Sequence, residues 1–123
     1  MSREVISRDQ FLSLKQQRRI DVPVPELGNG HVIPVWGMSA RERTDFERSL
    51  TMKSGKPSEE RQQEIRERLL VRCCRDDEGQ PLFTMDDVKG IGEVNADVVE
   101  RVVNVAMKLA GMTGADIEEL AGN

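Results

Sequence analysis

Glu93-Val94-Asn95-Ala96-Asp97-Val98-Val99-Glu100-Arg101-Val102-Val103-Asn104-Val105-Ala106-Met107-Lys108-Leu109 is the stretch on which the fold turns. Val94, Val98, Val102, Val105 and Leu109 recur at helical spacing on one face, and Val99, Val103, Ala106 and Ala110 fill the adjacent one. Two neighbouring apolar faces specify a central helix covered on both flanks. The alternative is that Val98, Val102, Val105 and Leu109, rimmed by Asp97, Glu100, Arg101 and Lys108, stay open toward a partner. With 123 residues in all, the rest of the chain must supply the cover, as one domain over residues 1–123.

Working outward, Thr84-Met85-Asp86-Asp87 begins a brief helix that stops at Gly90, read as a C′ residue with positive φ. Before it, Asp76-Asp77-Glu78-Gly79-Gln80-Pro81 is a tight polar turn. Ser58 caps a helix over about Glu59 to Cys74, with Ile65, Leu69 and Cys73 at i, i+4, i+8. Ser39-Ala40-Arg41-Glu42 is a capping box opening a helix through about Leu50, with Phe46 and Leu50 on its inner face. Ser7-Arg8-Asp9-Gln10 is another, opening a short helix that carries Phe11, Leu12 and Leu14. Between them, Ile20 to Val24 and His31 to Trp36 read as strands joined across Leu27-Gly28-Asn29-Gly30. Pro23, Pro25 and Pro34 lack ladder donors and place this hairpin at an edge. Thr113-Gly114-Ala115-Asp116 caps a terminal helical turn. The fold class is α+β, mainly α-helical, with about five helical segments and one N-terminal β-hairpin.

Composition narrows the function. Hydrophobic residues make up 37% and charged residues 33%, and with three Phe, one Trp and no Tyr the core must come from aliphatic side chains and Met. A net charge of −4 gives no general attraction for nucleic acid. The charge is uneven: 15 basic and 11 acidic residues through Arg75, then 3 and 11. That polarity suits head-to-tail self-association or steering of a charged partner, or it marks two solvated faces. No apolar run approaches the roughly 18 residues of a membrane span, and the N-terminus lacks the apolar stretch of a signal peptide.

The chemical inventory is short. Cys73 and Cys74 are adjacent on a helix, diverge by about 100°, and close no useful loop. His31, alone of its kind, reads as a half-buried strand residue without an orienting carboxylate, so no nucleophilic set assembles around it. No spacing converges the three or four ligands that a zinc site needs. Asp76 to Gly79 is too short for a calcium loop, since Phe83 and Thr84 stand where a ligating Glu belongs. These readings imply no catalytic residues, no cofactor and no metal. Gly90-Ile91-Gly92, followed by Ala96, resembles a helix–hairpin–helix, whose backbone N–H groups would meet a DNA phosphate. Asp86, Asp87, Glu93 and Asp97 surround it against Lys89 alone, which favours a hinge over a small DNA-associated adaptor. Trp36 closes the core or anchors a partner.

The serial pattern resembles the tail assembly chaperones of long-tailed bacteriophages. Arg68-Leu69-Leu70-Val71-Arg72-Cys73-Cys74-Arg75-Asp76-Asp77-Glu78-Gly79-Gln80-Pro81-Leu82-Phe83-Thr84 is similar to that family's Leu/Val-rich helix end running into an acidic Gly-x-Pro-Leu-Phe connection. Asp87-Val88, Ile91-Gly92 and Lys108-Leu109-Ala110-Gly111-Met112 stand where the family has its acidic short helix, hinge and long-helix end. Val35 to Glu47 resembles its strand and Ser/Thr-x-x-Glu-Arg-x-x-Phe-Glu helix, and the likeness covers Arg8 to Ala110. Cys73-Cys74 and the Val-rich run from Val94 to Val105 are departures. The resemblance implies a non-catalytic chaperone that binds and solubilises the tape measure protein and recruits tail tube subunits. It would act in the host cytoplasm, be absent from the mature virion, and leave homo-oligomerisation open. The finish at Glu118 to Asn123 would suit the short form of a frameshifted pair. The partner-binding residues expected are Val98, Val102, Val105, Leu109 and Trp36.

Overall fold

The computed structural model describes residues 3–15 and 18–122. In chain order it contains α1 (Arg8–Leu12), β1 (Arg19–Pro23), β2 (Val32–Trp36), α2 (Ala40–Arg48), α3 (Glu59–Gln63), α4 (Ile65–Cys73), α5 (Val88–Gly92), α6 (Ala96–Ala110) and α7 (Gly114–Leu120). Short 3-10 turns lie at Pro25–Leu27 and Met85–Asp87. The mainly helical α+β class with one N-terminal hairpin is as expected, with seven α-helices among the described residues in place of about five.

The hairpin pairs Ile20 with Val35 and Val22 with Ile33. Strand side chains alternate between faces, so these four share the inner face while Arg19, Asp21, Pro34 and Trp36 share the outer one. Val22 and Val35 are buried, and both strands pack on α6. From the other flank α4 packs on α6, bringing Leu69, Leu70 and Cys73 into one core with Val102, Val103 and Ala106. Phe46 from α2, Leu50 just beyond its end, and Ile117 from α7 complete that core. The central-helix reading of α6 holds.

Charged side chains fasten the layers. Arg101 donates to both carboxylate oxygens of Glu26 at 2.9 and 2.7 Å and to the Pro23 carbonyl at 3.3 Å, tying the hairpin tip to α6. Paired hydrogen bonds to a guanidinium favour the ionised acid, and they hold the Glu26 carboxyl down to about 2. Arg43 donates to the Ala110 and Gly111 carbonyls, placing a cation at the C-terminus of α6. Arg61 does the same for the Ser49 and Thr51 carbonyls after α2.

Several boundaries differ from the expected ones. The helix read from Glu59 to Cys74 divides at Glu64 into α3 and α4. The residues of α3 are all polar and none is buried, so no packing holds it collinear with α4. α6 begins at Ala96 and not Glu93. The terminal turn is a full helix, α7, closed by the Thr113–Asp116 capping box. The connection between the strands contains a 3-10 turn, and His31 is exposed beyond the start of β2 with Nδ1 3.1 Å from the Gly28 carbonyl oxygen. Gly90 does not have positive φ: it lies inside α5. The left-handed helix cap is Gly111, at φ 69°.

Two alanine substitutions should therefore move stability in opposite directions. Gly111→Ala places a Cβ on a left-handed residue and is expected to cost about 1–2 kcal/mol. Gly90→Ala, at a helical position where a Cβ meets no atom within 4 Å, is expected to add about 0.5–1 kcal/mol. Urea midpoints of the two variants check both signs.

Candidate functional site

Where the hairpin stops short of covering α6, an apolar groove of about 240 Å³ opens. Its walls are Ile33 of β2, Leu70 of α4, Phe83 before the second 3-10 turn, Ile91 of α5, Val94 in the turn before α6, and Val98, Val99 and Val102 in the first two turns of α6. Gly90 contributes a wall without a side chain, and Asp87 is the one charged residue in the lining. Val94 remains 46% exposed and Val98 is half-buried, so the groove is open to a side chain arriving from outside.

The surroundings of the groove are acidic. Asp86, Glu93 and Asp97 are exposed and adjoin Asp87, Val94 and Val98 in sequence. Among the described residues none of the four acids forms an ion pair. Asp97 lies within electrostatic reach of Arg101, but that guanidinium is committed to Glu26. Lys89 is the one cation between residues 86 and 97.

A second cleft, of about 740 Å³, lies at the other end of α6. Leu14, Lys15, Arg18, Trp36, Met38 and Leu109 border it. Trp36 is half-buried on the outer face of the hairpin, with the Arg19 guanidinium 5.4 Å from its ring centroid. It is therefore not a core residue, and its Nε1 is buried without a hydrogen-bond partner among the described residues.

The five residues expected to bind a partner are thus divided. Val98 and Val102 line the first groove, while Leu109 and Trp36 line the second cleft. Val102 is only 4% exposed and belongs to the core, and Val105 and Leu109 pack against that core. They do not form one open stripe, because the hairpin occupies the middle of it. Ile33, Leu70 and Phe83 were not singled out in the sequence, since they come from three other segments and no local spacing connects them.

The remaining motifs are used by the fold. Asp76 Oδ1 accepts from the Glu78 and Gln80 backbone N–H groups at 2.9 Å, and Gly79 takes φ 80°, so the acidic segment is a self-bonded turn. It joins Arg75 and Pro81 in a bridge that extends the edge of β2 through Val35 and Cys74. No group of three or more metal-ligating side chains occurs among the described residues. Against the opposing effect of burial, the Ser39 N–H and Arg75 hold the Glu42 carboxyl below its ordinary range. Cys73 and Cys74 are both fully buried free thiols, and burial pushes each up to about 12.

With this geometry in view, the comparisons with known proteins are consistent. Residues 9–123 match the family described as phage tail assembly chaperone. The fold is similar to that of the bacteriophage HK97 tail assembly chaperone, with a TM-score of 0.55 and 19% sequence identity over 85% of this chain and 94% of the other. No curated protein sequence matches the chain.

Burial of the two thiols has a measurable consequence. Neither is expected to react with an aromatic disulfide reagent at pH 8 until denaturant is added, whereupon both react. Because the unfolded thiols ionise near 9 and the folded ones only near 12, the unfolded state releases its protons first. Their contribution to stability is expected to fall as pH rises through that interval, which denaturant titrations at pH 8 and 10 would register.

Proposed function

The chain belongs to the phage tail assembly chaperone family, and from that premise we propose that it binds and solubilises the tape measure protein and recruits tail tube subunits to it. It does this as one domain over residues 1–123, without catalysis, cofactor or metal. The work takes place in the host cytoplasm during tail assembly, and the protein is absent from the mature virion.

The observation that carries this reading is the open apolar groove beside α6. A long helical client exposes large apolar side chains at intervals of three to four residues, and a groove walled by Ile91, Val94 and Val98 receives one or two of them at a time. Burying each such side chain contributes about 1.5–3 kcal/mol before the cost of ordering, which keeps a single contact weak and reversible. Repeated contacts along a long client then add up without any one becoming permanent. The cleft at Trp36 and Leu109 offers a second surface, of mixed polar and apolar character, on which a tube subunit can be held.

Substitution within α6 separates binding from folding. Val98→Asp, at a half-buried groove position, is expected to leave the circular dichroism spectrum unchanged and reduce copurification with the tape measure protein about tenfold or more. Val102→Asp, which places a carboxylate in the core, is expected to unfold the protein. Undiminished copurification by a folded Val98→Asp variant would remove the groove from the binding surface.

A further inference from the structure

Gly90 is a glycine that its own fold does not require. It lies inside α5 without positive φ, and a Cβ there would meet no atom within 4 Å. A glycine within a helix costs backbone entropy, and the residue belongs where a tight turn, a left-handed conformation or a close approach calls for it. Helical geometry removes the first two reasons. Among the described residues no other segment makes the close approach. Gly90 forms instead part of the wall of the apolar groove beside α6, so the space its missing side chain leaves open belongs to the groove.

The groove also has a sign. Asp87 stands in its lining, and Asp86 and Glu93 are exposed neighbours of Asp87 and Val94 in sequence. Asp87 Oδ2 accepts from the Thr84 N–H at 2.8 Å, but no cation pairs with it among the described residues. Asp97 stands in the first turn of α6, where it offsets the positive end of the helix. That leaves Asp86, Asp87 and Glu93 against Lys89, a negative balance beside apolar walls. Such a rim attracts a partner carrying cations and repels one carrying acids. On a helical partner, residues three or four apart are neighbours, so a cation one turn from a buried apolar residue falls at the rim. We propose that the groove is a socket for helical client segments in which a large apolar residue has Lys or Arg one turn to either side. Gly90 gives the apolar side chain its depth, and Asp87, with Asp86 and Glu93, meets the cation. The proposal deepens the client-binding reading and rests on it for the client being a helical chain.

Amide chemical-shift titration of the isotope-labelled full chain is the test, with three Ala-rich helical peptides of about 20 residues as probes. Each carries two Leu one turn apart, flanked by Lys, by Gln or by Glu. The Lys peptide is expected to shift the amides of Gly90, Val94 and Val98 and to bind about fivefold more tightly than the Gln peptide at low salt, as one or two exposed ion pairs allow. The Glu peptide is expected to bind more weakly than either. In 1 M salt, where screening acts within about 3 Å, the three are expected to converge. A variant with Asp86→Asn, Asp87→Asn and Glu93→Gln, in which the Asn oxygen can still accept from the Thr84 N–H, is expected to bring the Lys peptide down to the Gln peptide's affinity. Gly90→Leu fills the socket and is expected to weaken the Lys peptide more than tenfold while its urea midpoint does not fall, since Leu is the better helix former. Equal affinities of the Lys and Glu peptides at low salt, a preference that survives the salt or the amide substitutions, or undiminished binding to Gly90→Leu would each overturn the proposal. So would peptide shifts at Trp36 and Leu109 in place of the groove. Any of these results beside lost tape measure copurification by Val98→Asp overturns the proposal and leaves the client reading intact. Undiminished copurification by Val98→Asp, with the Lys peptide still preferred in the groove, overturns the client reading and upholds the socket's preference.

Discussion

A helix as apolar as α6 cannot stand at a surface, and the rest of the molecule is arranged around covering it. Val102, Val103 and Ala106 are buried, and the side chains that bury them come from two directions. The hairpin lies on one flank with Val22 and Val35 turned inward, and α4 lies on the other with Leu69 and Cys73. Helix propensity does not explain a helix so rich in Val, since β-branched side chains lose rotamer freedom there. Tertiary burial stabilises α6, and α6 in turn gives the two-stranded hairpin, only marginally stable alone, a surface on which to persist.

The ion pairs follow from the same arrangement. The basic first part of the chain and the acidic last part are folded against one another, and Arg19–Asp77, Arg43–Asp116 and Arg66–Glu100 each join one to the other. The charge polarity legible in the sequence is thus partly spent within the molecule. What it leaves over is concentrated at residues 86 to 97, where four carboxylates accompany one lysine. That segment turns the chain from α5 into α6 through Glu93, Val94 and Asn95, with Gly90 and Gly92 both helical residues of α5. The net negative charge there repels a phosphate backbone.

The apolar surface left open in this protein is the remainder of incomplete coverage. Five-residue strands cannot shield a helix of fifteen residues along its whole length. One groove remains at the beginning of α6 and one cleft near its end, with the hairpin between them. The groove formed this way has apolar walls drawn from several segments of the chain.

Local chemistry determined a good deal by itself. The capping boxes at Ser7, Ser39 and Thr113, the self-bonded turn at Asp76, and the period of α6 depend on residues within a few positions of each other, and these are present as read. The order of those signals also carried the family resemblance. Only the tertiary structure decided which face of α6 is open, because that depends on how far the hairpin reaches, a length no periodicity encodes. It placed Val102 in the core, Val98 in the groove and Trp36 under Arg19, and it broke the helix at Glu64 where packing, rather than propensity, changes. The groove joins Ile33, Leu70 and Phe83 to Val98 across segments far apart in the chain, so it exists only once the packing that buries their neighbours has formed.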